Sequence, residues 1–142
     1  MHDGPEFTQC NIVVRDMAAT LAFYRRLGLT IDAEANAFHV AVRFANGMLL
    51  EFDSTTFARQ WDSGRHDSTG GSTVLGLEVA TRERVDALYA DLTQAGYLGR
   101  QQPYDAFWGA RYAIVEDPDG NGIGLMSPID VARKFWPPTQ AP

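Results

Sequence analysis

Cysteine occurs once in the 142 residues, at Cys10. A single thiol excludes an intrachain disulfide and any metal site built from several cysteines. Its place in an apolar run reads as a small core residue rather than a nucleophile. No apolar run approaches the roughly 20 residues that span a bilayer. The opening Met1-His2-Asp3-Gly4-Pro5-Glu6 has neither the basic nor the apolar part of a signal peptide. The expectation is a cytoplasmic protein that does not engage a membrane. Basic residues are few and scattered, 12 against 18 acidic ones, for a net charge of −6. That balance repels polyphosphate, so nucleic acid is not an expected partner. A Gly-x-Ser-x-Gly elbow, a phosphate loop and a Gly-x-Gly-x-x-Gly turn between strand and helix are also missing, which leaves serine-hydrolase and nucleotide-binding readings without support.

What is present is an ordinary globular composition, 45% hydrophobic and 21% charged, which favours one packed domain over disorder or a coiled coil. The chain carries its own repeat. Asn11-Ile12-Val13-Val14-Arg15-Asp16 reads as a strand ending in a helix N-cap, followed by Met17, Leu21, Tyr24 and Leu27 at helical spacing. The pattern returns at Gly76-Leu77-Glu78-Val79-Ala80-Thr81, with Thr81 as cap and Val85, Leu88, Tyr89 and Leu92 as the buried stripe. A constant shift of 65 residues pairs Ile12 with Leu77, Val14 with Val79, Asp16 with Thr81, Tyr24 with Tyr89 and Leu27 with Leu92. Gly28 and Gly96 suit the left-handed position that closes a helix.

Strands are expected after each helix: Leu29 to Ala33, Phe38 to Phe44 and Met48 to Asp53 in the first half, with a tight Asn46-Gly47 hairpin. The second half offers Tyr97 to Tyr104, Arg111 to Glu116 and Ile123 to Met126, the last two joined by an Asp117-Pro118-Asp119-Gly120 turn. The carboxylates from Asp117 to Asn121 are therefore read as turn chemistry and not as a calcium site. Each half is β-α-β-β-β. The expected fold is α+β: two tandem βαβββ modules, residues 7–53 and 73–128, forming a curved mixed sheet around a cavity. Residues 54–72 have the composition of a linker, with Trp61 as an aromatic anchor, and residues 129–142 form a tail.

One helix covers one face of a sheet, so the other face must be buried by the second module or line a cavity. If Ile12, Val14, Val40, Val42, Leu50 and Phe52 face the first helix, then Gln9, Asn11, His39, Arg43, Glu51 and Asp53 share the opposite face. In the second module Leu77, Val79, Ile123 and Leu125 pack on the helix, which leaves Val74, Gly76, Glu78, Gly124 and Met126 opposite. One face offers charge and hydrogen bonds, the other space and apolar surface, a combination suited to a mid-sized organic ligand. Phe107, Trp108 and Tyr112 around Gly109 suit stacking on a flat molecule, with Trp108 as the leading contact. Glu51 beside Arg43 reads as an internal ion pair or as a ligand anchor. Gln9 and Asn11 either orient a ligand carbonyl or satisfy edge backbone groups and water.

Val14-Arg15-Asp16-Met17, Phe23-Tyr24-Arg25-Arg26-Leu27-Gly28, Phe107-Trp108-Gly109 and Glu116-Asp117-Pro118-Asp119-Gly120-Asn121, in that order and within a duplication, resemble the vicinal oxygen chelate superfamily of glyoxalases, bleomycin-resistance proteins and extradiol dioxygenases. The resemblance covers residues 7 to about 128. It implies a homodimer and, in the metal-dependent members, four inward ligands, whose positions fall on Gln9, Glu51, Val74 and Gly124. Gln9 plus 65 is Val74, and aligning Gly47 with Gly120 pairs Glu51 with Gly124. Two of these can bind a metal and two cannot. The expectation is thus a metal-independent binder of an aromatic or polycyclic metabolite or antibiotic, without cofactor, its ligand touching Gln9, Asn11, His39, Arg43, Glu51, Phe107, Trp108, Tyr112 and Met126. The alternative is a lyase, isomerase or dioxygenase of the superfamily, using Glu51 as a general base or a divalent metal on Gln9, His39 and Glu51.

Overall fold

The computed structural model describes residues 3–64 and 73–135. Gly70 and Gly71 of the expected linker, and Trp136 to Pro142 of the expected tail, lie outside the described residues. The chain divides into two units, Met1–Ser68 and Thr69–Pro142.

In the first unit β1 (Gln9–Val14) leads into α1 (Met17–Leu27), followed by β2 (His39–Arg43), β3 (Leu49–Ser54) and α2 (Thr55–Trp61). Asp16 starts α1 as its cap, accepting from the Ala19 amide at 3.1 Å. Gly28 ends it at φ 120°, donating to the Arg25 carbonyl, while the Leu29 amide reaches Tyr24. Met17, Leu21, Tyr24 and Leu27 are all buried, the stripe that the spacing predicts. The sheet has the order β1-β3-β2, with β1 parallel and β2 antiparallel to the central strand. Ile12, Val14, Val40, Val42, Leu50 and Phe52 form its buried row, and the Tyr24 and Phe52 rings meet with centroids 4.6 Å apart.

Two expectations for this unit need correction. Leu29 to Ala33 is not a strand, because Arg25 takes the acceptors a ladder would use: its guanidinium donates to the Ile31 carbonyl at 2.8 and 3.2 Å and to the Ala33 carbonyl at 2.8 Å. The stretch expected to be linker begins instead with α2. Ser54 serves as its N-cap, accepting from the Phe57 amide at 3.1 Å, and Ala58 is fully buried. Phe38, expected to open the strand before Phe44, lies just ahead of β2, is 62% exposed and packs on Phe57 with centroids 5.2 Å apart.

In the second unit β4 (Val74–Glu78) leads into α3 (Arg82–Gln94), then β5 (Gly99–Asp105), β6 (Arg111–Glu116) and β7 (Gly122–Met126). Thr81 caps α3 through the Arg84 amide at 3.1 Å. The sheet order is β4-β7-β6-β5, with β4 parallel to β7 and the other pairs antiparallel. Val85, Leu88 and Leu92 pack on Ala113, Val115, Ile123 and Leu125, all buried. Leu77 and Val79, expected in this core, are only half-buried, because α3 lies mainly over β5 and β6 while β4 is an edge strand. β5 pairs irregularly and contains Pro103, tolerated at an edge because it has no ladder donor to lose. Asp117 organises the β6–β7 turn, as expected, with Oδ1 accepting from the Asp119 and Asn121 amides at 2.9 Å each.

The segment after β7 straps the loop between β5 and β6. Ser127 N–H donates to Arg111, Asp130 N–H to the Gly109 carbonyl at 2.9 Å, and Phe135 N–H to the Phe107 carbonyl at 2.9 Å. A 3-10 turn, Val131–Arg133, lies within the strap. Gly109 permits the contact: it sits at φ 96°, and a Cβ there would lie 2.4 Å from the Asp130 carbonyl oxygen. Gly109→Ala should therefore cost more than about 1 kcal/mol, read as a lower urea midpoint, with faster hydrogen exchange at the Asp130 and Phe135 amides than at α1.

Candidate functional site

On the first unit's sheet, strand pairing sets the row opposite the one that faces α1. Asn11 and Ala41 flank Glu51, Val13 and His39 flank Asp53, and Gln9 and Arg43 flank Leu49. Every polar residue assigned to that face therefore shares it. Four are joined in a line: Gln9 Nε2 donates to Asn11 Oδ1 at 2.9 Å, Asn11 Nδ2 donates to Asp53 Oδ2 at 3.1 Å, and His39 Nδ1 is bonded to Asp53 Oδ1. His39 Nε2 lies 3.4 Å from Glu51 Oε1, and the imidazole packs beside Phe57 with centroids 5.3 Å apart. Asp53 is completely buried, whereas the His39 side chain is 38% exposed.

A buried carboxylate needs hydrogen-bond donors to offset its lost hydration, and His39 and Asn11 meet that requirement. Asp53 is the organising residue of this face. Sequence reasoning set it on the right row but not among the site residues, since alternation gives direction and not burial. The expected Arg43–Glu51 ion pair does not form. Arg43 sits across from Leu49 and donates to the Gly47 carbonyl at 3.2 Å in the hairpin, which leaves Glu51 to His39.

On the second unit's sheet, Glu78, Met126 and Tyr112 align across β4, β7 and β6, and Tyr104 joins them from β5. Trp108 projects from the strapped loop onto this row. Its ring meets Tyr112 edge-on at 5.1 Å, Tyr104 at 6.5 Å and Phe107 at 5.1 Å, and its Nε1 donates to Met126 Sδ at 3.3 Å. Trp108, Tyr112, Phe107 and Met126 are thus brought together. Tyr104 completes the cluster with a ring 6.3 Å from Tyr112. It was missed because its strand has a weak pattern and only the β5–β6 register places it opposite Tyr112. Burial pushes the Tyr112 hydroxyl above the usual tyrosine pKa, with a further push from Tyr104 and opposition from Arg100.

The four positions that would hold a metal in metal-dependent relatives do not fit one here. Val74 is an exposed aliphatic side chain. Gly124 has none, and the place its Cβ would take lies 2.7 Å from the Tyr112 hydroxyl oxygen. The residue paired with Gly124 on β4 is Gly76, which likewise offers no side-chain donor. In the other set, His39 Nε2 approaches Glu51 Oε1 at 3.4 Å, while Gln9 stands opposite Leu49 with its amide turned to Asn11. Among the described residues no three His, Cys, Asp or Glu side chains are arranged to hold a metal ion. Among the described residues, too, no helix is long and apolar enough to cross a membrane.

A helix-backed sheet in each unit, with strand and helix recurring at a 65-residue shift, defines an α+β protein built by duplication. The chain belongs to the Glyoxalase/Bleomycin resistance protein/Dioxygenase superfamily, which it matches over residues 6–125. Its fold is similar to that of a glyoxalase-related enzyme from Fulvimarina pelagi, at 21% identity and TM-score 0.75 over 87% of this chain and 88% of that one. A glyoxalase/bleomycin resistance protein/dioxygenase family enzyme from Burkholderia phytofirmans PsJN gives 21% identity and TM-score 0.71 over 87% and 98%. A protein of unknown function from Agrobacterium tumefaciens str. C58 gives 25% identity and TM-score 0.68 over 90% and 98%. These likenesses carry the fold. A comparison with curated proteins gave no match.

Replacing His39 with Ala removes one donor from the buried Asp53 carboxylate while Asn11 keeps the other. The expected cost is about 1–3 kcal/mol, measured by urea unfolding. A value within error of zero would show that Asp53 does not depend on the imidazole.

Proposed function

We propose that this protein binds a flat aromatic small molecule, a metabolite or an antibiotic, without a metal ion, as a receptor of the bleomycin-resistance kind. The observation that carries the reading is the cluster of Tyr104, Trp108 and Tyr112, whose rings meet edge to face on the uncovered row of the second sheet. Edge-to-face rings leave π-faces free for a further ring, and such stacking contributes about 0.5–1.5 kcal/mol beyond the area it buries. Tyr104 and Phe107 remain 38% and 42% exposed, so the cluster is open to a ligand. Metal independence is supported by the donor-free residues Val74, Gly76 and Gly124. The same reading takes the protein to be cytoplasmic and homodimeric.

A second reading, an enzyme of the superfamily with Glu51 as proton acceptor, draws support from the Asp53–His39–Glu51 alignment. Turnover of methylglyoxal-thiol adducts or catechols that disappears in Glu51→Gln would favour it over a passive receptor.

The receptor reading is tested by fluorescence titration with anthracene-2-sulfonate, a planar fused-ring probe. Wild-type protein should bind it, and Trp108→Ala should weaken binding at least about tenfold, or about 1.4 kcal/mol, without a change in far-UV circular dichroism. Undiminished affinity in the variant would remove the aromatic cluster from the site. Elemental analysis of purified protein should find divalent metal well below one equivalent, and a stoichiometric ion retained through dialysis would overturn the metal-free reading.

A further inference from the structure

Gly76 and Gly124 are paired on adjacent strands and face the same side of the second sheet, yet their surroundings differ. A Cβ added at Gly124 would meet the Tyr112 ring, with Oη at 2.7 Å and Cε1 at 3.1 Å. A Cβ added at Gly76 would meet nothing within 4 Å. Tyr112 therefore reaches from β6 across β7, its hydroxyl end over Gly124, and the next strand in that direction is β4, where Gly76 leaves the sheet bare and exposed.

The hydroxyl makes no hydrogen bond among the described residues, although its ring is engaged by both Tyr104 and Trp108. Arg100, whose charge opposes the rise in the hydroxyl's pKa, donates to Glu116 Oε2 at 3.1 Å. The hydroxyl still reaches water, since among the described residues Thr20 Oγ1 is the buried side-chain polar atom left without a partner, and a ligand acceptor would take the place of that water. Because burial raises its pKa, the group stays a neutral phenol, able to donate its proton in a hydrogen bond, through the physiological range.

We infer that the ligand of this face carries a carbonyl-type acceptor, as in a quinone, a chromone or an aryl ketone, which seats above Gly76 and accepts a hydrogen bond from Tyr112. The inference rests on the aromatic-ligand reading and narrows its chemistry. Gly76 sets how far the ligand can advance over β4. Tyr112 selects an acceptor at its leading edge, while Trp108 and Tyr104 supply aromatic surface.

The test compares two probes of like outline and charge, anthraquinone-2-sulfonate and anthracene-2-sulfonate, by calorimetric titration. Wild-type protein should prefer the quinone by about fivefold, the value of one neutral hydrogen bond. Tyr112→Phe should bind both probes equally, the quinone losing its advantage. Gly76→Val should weaken both at least tenfold with its thermal midpoint within a degree or two of wild type, since the added carbons enter open space. Gly76→Ala serves as a smaller block should the valine disturb the edge strand. A quinone preference that survives in Tyr112→Phe, or binding of both probes by wild type without preference, would overturn the inference and leave the aromatic site standing. Failure of wild type to bind either probe would remove the site itself.

Discussion

A strand presents two rows of side chains, and a single helix can bury only one of them. That constraint operates in both units. Under α1 the row of Ile12, Val14, Val40, Val42, Leu50 and Phe52 is closed, and under α3 the row of Ala113, Val115, Ile123 and Leu125 is closed. The opposite rows stand outside these two apolar cores, although Asp53 is buried on one of them. They are where the two copies of the repeat have parted: backbone and caps recur 65 residues apart, while one free row carries a line of amides, imidazole and carboxylates and the other carries glycines and aromatic rings.

The polar row is held together by a buried charge-bearing group. Asp53 is removed from water, and a carboxyl group so placed is tolerated only with directed donors. His39 and Asn11 provide them, and Gln9 and Glu51 extend the line at either end. The open row of the second sheet is organised by bulk. Tyr112 occupies the place a side chain at 124 would need, and Trp108 is set against Met126 by a loop that the C-terminal strap secures through backbone bonds. With the Tyr112 hydroxyl end over Gly124, a side chain at position 124 would require the phenol to move.

Local chemistry was legible wherever a few neighbouring residues settle a structure. Asp16 and Thr81 begin helices because their side chains bond the third amide onward, and Gly28 ends one because it alone tolerates the left-handed turn. Asn46-Gly47 and Asp117 to Asn121 form turns for similarly local reasons. Side-chain alternation assigned both faces correctly at most positions. Leu77 lies on its assigned row, paired with Leu125, yet it and Val79 are only half-buried because α3 lies mainly over β5 and β6.

The amino-acid sequence by itself determined the duplication, the caps, the turns and the row on which each strand residue lies, because periodicity and backbone preference act over a few residues. Tertiary structure alone decided which residues meet. Arg25 folds back to claim the carbonyls of Ile31 and Ala33, so an apolar stretch never becomes a strand. Arg43 turns to its own hairpin and Glu51 to His39, although both possible pairs lie on one face. Tyr104 reaches Tyr112, and the strap reaches Gly109, only through strand register and chain path. Such contacts join residues far apart in sequence or on neighbouring strands, and their geometry depends on the packing of everything between them.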